Sequence, residues 1–490
     1  MWPTPASLQQ TATIYIIDHI SWKFVAPINN SLLLRAFTRY STLFFPPTTY
    51  HKQSHPKPFP TDPVIDTLTV DVQAASESDQ ILFGTDESYT LQVSDSGASI
   101  RSPNVFGALR GLETFSQLIT ANELFYYINE TTIQDSPRFP WRGLLIDTSR
   151  HWLPVPMILD IIAGCSYSKI NTLHWHVIDG QSFPLESKVY PLLNLEGAYR
   201  LDQTYSQEDV AKIVSYANDH GVRVVPEFDM PAHATSWGFG YDFMTVKCYQ
   251  RANDYDFNDG WGDDPMDPTN PEVYQFIQNF LTEMASLFPD NWFHLGGDEV
   301  NQQCWNTTAI NQYMKDHNIA SYDELETLFI KNVNEFVRAK LNKKLAYWQE
   351  VFQHTTPFIG DAVDVWIDSN TLKSVITKGI PAIQSFGWYL DHLGDDWYQF
   401  YKQEPIPAGV TPAQAALVLG GEGSMWSETV DNTNFHQKVW TRVSAIAERL
   451  WSPKTVTDQE DAVMRLSHHR CRYNVRGIPA EPFQPGPGCY

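Results

Sequence analysis

No run of about 18 apolar residues occurs in this 490-residue chain, so a membrane-spanning helix is not expected. Basic charge is scarce: 34 Lys and Arg face 57 Asp and Glu, giving a net charge of −23. That balance argues against nucleic acid or an anionic membrane as a partner and fits a soluble protein in mildly acidic surroundings. The amino terminus, Met1-Trp2-Pro3-Thr4-Pro5, has neither the basic nor the apolar stretch of a signal peptide. Cysteines number only five, at 165, 248, 304, 471 and 489. Four of them could form two local bridges, which need an oxidising compartment. Three Asn-x-Ser/Thr sequons, at Asn29, Asn129 and Asn306, point the same way, though sequons arise often by chance. The chain therefore reads as a mature or incompletely predicted protein that is secreted or resident in a vacuole or lysosome.

Aromatic residues, by contrast, are plentiful. Apolar residues make up 42% of the chain and Trp alone contributes 16, which indicates a well-buried globular protein. Flat aromatic faces also line many sugar pockets, although most of these Trp residues fill cores. A chain this long exceeds what one core usually supports, so two domains are expected.

Residues 1–135 read as a strand-like, loop-rich α+β domain. Alternation marks Asp66 to Val72 and Tyr89 to Val93, and the region closes with a helix from Val105 to Phe115 whose apolar residues are three and four apart. The Pro-rich stretch Ser136-Pro137-Arg138-Phe139-Pro140 marks a boundary. From 136 to 490, short apolar strands ending in polar residues alternate with helices. The strands run from Gly143 to Arg150, Thr172 to Asp179, Val222 to Asp229, Trp292 to Glu299, Leu345 to Glu350, Ala362 to Asp368, Ala382 to Tyr389 and Leu417 to Glu428. One intervening helix carries agreeing signals: Ser206 as N-cap with Asp209 three residues on, Val210, Ile213, Val214 and Ala217 on one face, and Gly221 as terminator. Eight such strands in about 350 residues fit a (β/α)8 barrel, whose strand carboxyl ends form the catalytic face.

The strand ends gather Arg150, His174, His176, Asp179, Glu227, Asp229, His233, Asp298, Glu299, Trp348, Glu350, Trp366, Trp388, Tyr389, Asp391, Trp426 and Glu428. Carboxylates with Trp suit glycoside hydrolysis. Within the run His294-Leu295-Gly296-Gly297-Asp298-Glu299, two carboxylates are neighbours. Neighbours on a strand point to opposite faces, so both reach one ligand only if the strand ends or bends there, which the two glycines permit. The same segment could be an ordinary solvated turn. Retaining enzymes usually hold two carboxyls about 5 to 5.5 Å apart across the scissile bond. An adjacent pair straddles a sugar poorly, which suggests a positioning role for the Asp and a nucleophile supplied by the substrate.

Gly143 to His151, His174-Trp175-His176, Glu227 to His233, His294 to Glu299, Gly421 to Glu428 and Ala447 to Ser452 together resemble family 20 β-N-acetylhexosaminidases. The likeness runs in order through the barrel; the first domain is similar more loosely, best at Phe106 to Phe115. The resemblance implies exo-removal of terminal GlcNAc or GalNAc by substrate-assisted retention, in which the 2-acetamido oxygen attacks the anomeric carbon. It makes Glu299 the general acid and then base, and Asp298 the group that orients the acetamido and stabilises its developing charge. Tyr389 would bond the attacking oxygen, Trp348, Trp366 and Trp426 would wall the pocket, Arg150 and Glu428 would bind ring hydroxyls, and Asp179 with His233 would orient the acid. Individually, Arg150 could instead be a structural ion pair and His233 a buried, satisfied histidine. No metal or cofactor is implied.

The resemblance also pairs Cys248 with Cys304, pinning the acidic loop of about 238 to 271 against the strand bearing Asp298, and Cys471 with Cys489. Cys165 is left as a buried helix residue. An amino-terminal cysteine pair of the animal lysosomal members is missing. A homodimer is suggested by the likeness, without an interface signal in the sequence. After Trp388-Tyr389 the chain has Asp391-His392, where the family form that accepts sulfated or sialylated substrates carries Asn-Arg; an Asp beside O6 would repel a 6-sulfate. His392 departs from both family patterns and leaves room for some tolerance at acidic pH.

Two other classes compete. His174 and His176 on one strand face, with Asp179, Asp229 and His233, resemble the short His-x-His cue of a zinc hydrolase, but that leaves Asp298, Glu299 and the Trp walls without a role. A glycan-binding protein on an inactive barrel would be expected to have lost the acid or its partner, and both are present.

Overall fold

The computed structural model describes residues 1–45, 62–76, 78–121, 125–248, 264–355, 357–392, 394, 396–486 and 488–489. The middle of the acidic loop expected between 238 and 271, from 249 to 263, lies outside them.

The first unit is a mixed sheet: β1 (Ser7–Ile17), β2 (Lys23–Val25), β3 (Val64–Ile65), β4 (Thr67–Val72), β5 (Tyr89–Ser94), β6 (Gly97–Ser102), β7 (Thr120–Ala121) and β8 (Tyr126–Asp135). Its spatial order is β2-β4-β6-β5-β8-β1-β3, with β7 added on β8. Strict alternation of buried and accessible positions in β4 and β5 gives it one covered face. Helices α1 (Ser31–Leu43) and α2 (Val105–Leu118) cover that face.

Two expectations for this region need correcting. The stretch read as strand and loop contains α1, a 13-residue helix capped by Asn30, whose side chain accepts the Leu33 N–H. Its Leu32, Leu33, Ala36, Phe37 and Tyr40 follow helical spacing and are buried, a pattern masked by the loop-like flanks. Nor does the region close with α2, since β8 follows and pairs with both β1 and β5.

Helix α2 is buried along almost its whole length because it lies between sheet and barrel. Gly107 and Gly111 allow that approach: an added Cβ would sit 2.3 Å from Ser88 O or 2.6 Å from Ile100 Cγ2. Buried charge ties the two units. Glu87 takes Arg110 at 2.7 Å and Arg142 at 2.6 Å, and Asp135 takes Lys169 at 2.8 Å.

The second unit is a closed parallel barrel of eight strands in sequential order: β9 (Trp141–Asp147), β10 (Thr172–Ile178), β11 (Arg223–Phe228), β12 (Trp292–His294), β13 (Lys344–Trp348), β14 (Ala362–Val365), β15 (Ala382–Gln384) and β16 (Val418–Met425). The fold is therefore a (β/α)8 barrel preceded by an α+β unit. Helix Gln207–Asp219 starts at a capping box between Ser206 and Asp209 and stops before Gly221, whose φ is +67°.

Several strands are shorter than the sequence suggested. β12 ends at His294 rather than Glu299, and β13 ends at Trp348, with Gln349 and Glu350 already in the helix Gln349–His354. Disulfides join Cys248 to Cys304 and Cys471 to Cys489, and Cys165 is a buried free thiol in α3 (Val155–Tyr167). The first bridge lands on the short turn Gln302–Trp305 beyond the acidic pair, not on the strand before it.

Candidate active site

The site begins where β12 stops. His294 Nδ1 accepts the Gly296 N–H at 3.1 Å, and Asp229 Oδ1 accepts the Gly297 N–H at 2.9 Å, so the chain turns sharply off the strand. Gly296, Gly297 and Glu299 take φ values of +63°, +88° and +50°. The glycines adopt that region freely; Glu299 does so as a strained exception at the rim.

That turn sends Asp298 and Glu299 toward one imidazole. His233 Nε2 lies 3.9 Å from Asp298 Oδ2 and 3.4 Å from Glu299 Oε2. Asp298 keeps 13% of its side-chain surface and Glu299 60%, so the Asp is the inner group and the Glu stands at the mouth. Asp298 Oδ1 is buried with no hydrogen-bond donor among the described residues.

Behind the imidazole lies a held carboxylate. His233 Nδ1 is 3.2 Å from Asp179 Oδ1, while Asp179 Oδ2 takes Arg150 at 2.7 Å and His176 Nε2 at 2.8 Å. Arg150 also reaches Asp147 at 3.3 Å, donates to Gln181 at 3.1 Å and lies over the Trp426 ring at 5.0 Å. Asp147 accepts the Ser427 N–H at 3.1 Å, fastening the end of β9 to the segment that carries Trp426 and Glu428. Asp147 and Gln181 were not singled out in the sequence; the run Asp147-Thr148-Ser149-Arg150 at a strand end is the signal that marks Asp147.

Aromatic rings close the sides. Trp348 donates Nε1–H to Glu227 at 2.7 Å, and its ring is 5.9 Å from that of Trp426. Trp366 donates to Glu350 at 3.0 Å and lies 6.2 Å from Tyr389. Tyr389 is fixed by a parallel bridge to Ser424 on β16. Trp388 is not part of the site: it is fully buried, pressed against Gly421, and donates to Phe400 O at 3.1 Å. Asp391 is half-buried two residues beyond Tyr389, and Glu428 is exposed near Arg150.

The charges divide into two groups. Burial, and then the nearby Asp229, push the Asp298 carboxyl well above its ordinary range, and burial pushes Asp229 up to about 7. Two carboxyls in one dry site cannot both ionise freely, so this pair holds a proton into neutral pH. The hydrogen bond from His233 lowers Glu299. Burial opposes charge on His233, but Asp179 outweighs it and holds the imidazole well above its usual value. The result is an exposed carboxyl with a proton-carrying neighbour, and an inner carboxyl with a free acceptor oxygen. Such a set can pass a proton to a leaving group while receiving a polarised N–H deeper in.

His174 and His176 do lie together inside the barrel, each facing carboxylates: Glu422 at 2.6 Å for His174, and Glu227 at 2.6 Å with Asp179 for His176. Of the three sequons, Asn29 and Asn306 are exposed, while Asn129 on β8 donates to Thr11 O at 3.0 Å.

Residues 139–454 match the model of the glycosyl hydrolase family 20 catalytic domain, and residues 1–118 match a beta-acetyl hexosaminidase like domain. Beta-hexosaminidase subunit beta of Mus musculus is 42% identical over 505 residues, covering 99% of this chain and 92% of that protein. The Homo sapiens subunit beta is 40% identical, covering 99% and 89%. Among solved structures, the chitobiase of Flavobacterium johnsoniae superposes with a TM-score of 0.85 at 29% identity, covering 98% of this chain and 73% of that one.

Proposed function

This chain belongs to glycosyl hydrolase family 20 and is an exo-acting β-N-acetylhexosaminidase, and from that premise we propose how its residues divide the reaction. The substrate carries a terminal non-reducing GlcNAc or GalNAc, and its own acetamido oxygen is the nucleophile. Glu299 protonates the departing glycosidic oxygen, then takes a proton from the water that opens the oxazolinium intermediate. Asp298 receives the acetamido N–H on its free Oδ1 and stabilises the positive charge that grows there.

Tyr389 donates to the attacking carbonyl oxygen. Trp348, Trp366 and Trp426 enclose the acetamido group and the apolar ring face, which excludes water from the forming bicycle. Arg150 and Glu428 bind ring hydroxyls, and Asp179 with His233 aims Glu299. Asp391 disfavours a negatively charged group on O6.

One observation carries the reading: Asp298 and Glu299 leave a single glycine turn and face the same nitrogen of His233. Carboxyls so placed serve one side of the sugar, which leaves the opposite attack to the substrate. Fluorination of the N-acetyl group tests it. Successive fluorines weaken the carbonyl nucleophile, so kcat/KM should fall steeply and progressively from acetyl to trifluoroacetyl; a flat series would point to an enzyme nucleophile.

Around the site, we place the division between domains at 136–140, supported by the end of β8 at Asp135 and the start of β9 at Trp141. Secretion or vacuolar residence is supported by two disulfides and the exposed sequons Asn29 and Asn306, with Asn129 as a third acceptor site. No helix among the described residues is long and apolar enough to cross a membrane. A homodimer rests on family likeness and is read directly by light scattering.

A further inference from the structure

His174-Trp175-His176 on β10 remains unused by the reaction just described. Trp175 points outward, with its ring edge-on to Tyr205, so the two histidines point into the barrel. His176 lies between two carboxylates: its Nδ1 is 2.6 Å from Glu227 Oε2 and its Nε2 is 2.8 Å from Asp179 Oδ2. Glu227 in turn accepts the Trp348 indole N–H on its other oxygen at 2.7 Å. A continuous path thus runs Trp348, Glu227, His176, Asp179, His233, Glu299, from the tryptophan wall to the exposed carboxyl.

We propose that His176 is a positioning residue for the general acid, an imidazolium strut that holds Asp179 toward His233 and couples Glu299 to the wall residue Trp348 through Glu227. The proposal rests on the assignment of Glu299 as the acid.

Three features support it. First, an imidazole facing a carboxylate on each nitrogen satisfies both only when both nitrogens carry hydrogen. Second, burial alone would strip that charge, yet Glu227 and Asp179 outweigh burial and raise His176 to about 9, so it stays charged at acidic and neutral pH. The other groups packed around it fit this state: His174 also faces Glu227, Arg150 shares Asp179, and the Trp426 ring meets the His176 ring edge-on at 4.9 Å. Third, Arg150 and His176 together occupy Asp179 Oδ2, which leaves Oδ1 for the Gly180 N–H and His233. Without His176 the carboxylate can rotate about its last torsion and His233 loses its fixed partner. A histidine that merely filled the core would need neither nitrogen paired with a carboxylate of the relay.

The test is a leaving-group series of aryl and alkyl β-GlcNAc substrates with wild type, His176→Gln and Glu299→Gln. Acid catalysis is worth about 10²- to 10⁴-fold and matters little for good leaving groups. His176→Gln should therefore keep kcat/KM within about fivefold for dinitrophenyl substrate but lose at least about thirtyfold for alkyl substrates. Its alkaline limb should move to higher pH, because Glu299 has lost a nearby cation. An equal loss across the series, or none, overturns the proposal while a steep series for Glu299→Gln leaves the acid assignment standing. A flat series for Glu299→Gln overturns both. Should His176→Gln fail to fold, neutron diffraction of the wild-type enzyme at pH 6 decides: deuterium on both His176 nitrogens supports the strut, and a bare nitrogen overturns it.

Discussion

Gly296 and Asp229 stand so close that a Cβ added to the glycine would lie 1.8 Å from Asp229 Oδ1. The glycine also needs a φ of +63°, and its neighbour's N–H is held by the same carboxylate oxygen. The inner carboxyl pair and the turn that presents Asp298 and Glu299 are therefore one structure. Gly296→Ala should displace Asp229, cost about 2 to 3 kcal/mol in urea unfolding and reduce kcat by more than about 100-fold. Activity near wild type would mean the turn tolerates another path.

Glu299→Gln keeps the side-chain volume but removes the transferable proton. Turnover of alkyl and sugar leaving groups should fall by about 10²- to 10⁴-fold, while activated aryl substrates should lose far less in the first step. The measurement is the burst and steady-state rate for both classes.

Asp391 is half-buried with an oxygen that finds no donor among the described residues. A 6-sulfate there would meet like charge, so the unsulfated aryl GlcNAc should be preferred. Asp391→Asn should raise kcat/KM for the 6-sulfated substrate by about tenfold, on the order of one removed like-charge contact. Comparable turnover of both substrates by the wild type would remove Asp391 from the specificity account.

Asp229 makes a pH prediction with a definite sign. In the unfolded chain an aspartate titrates near about 3.9. In the folded protein burial pushes Asp229 up to about 7, with Asp298 raised beside it. The native state thus keeps a proton that the unfolded chain releases, and stability falls as pH rises from about 4 to about 7. Asp229→Asn should flatten that slope in urea titrations taken across the window. A slope unchanged by the substitution would place the shared proton elsewhere.

Much of the fold could be read from the chain because each barrel strand is a short apolar run closed by polar residues, and the capping box at Ser206 and Asp209 has local chemistry of its own. Helix α1 could not, because its apolar face sits among loop-like flanks and acquires meaning only against the sheet. Strand ends were overrun where polar residues continue past the last ladder bond, as from Leu295 to Glu299. At the site, Asp298 and Glu299 stood out through their adjacency after two glycines. Asp147 lies three residues from Arg150 and is within reach of a local pattern, whereas the link from Gln181 to Arg150 depends on the ends of β9 and β10 meeting, which no local pattern encodes.

The claim that the substrate supplies its own nucleophile is tested most directly by the thiazoline analogue of the bicyclic intermediate. That ring offers a polarised nitrogen to Asp298 only if the pocket is built around the cyclised acetamido group. Competitive inhibition should be at least about 100-fold tighter than substrate binding and should weaken by about 2.7 to 4 kcal/mol in Asp298→Asn. An analogue that binds no better than N-acetylglucosamine, or equally well to both proteins, would contradict the account.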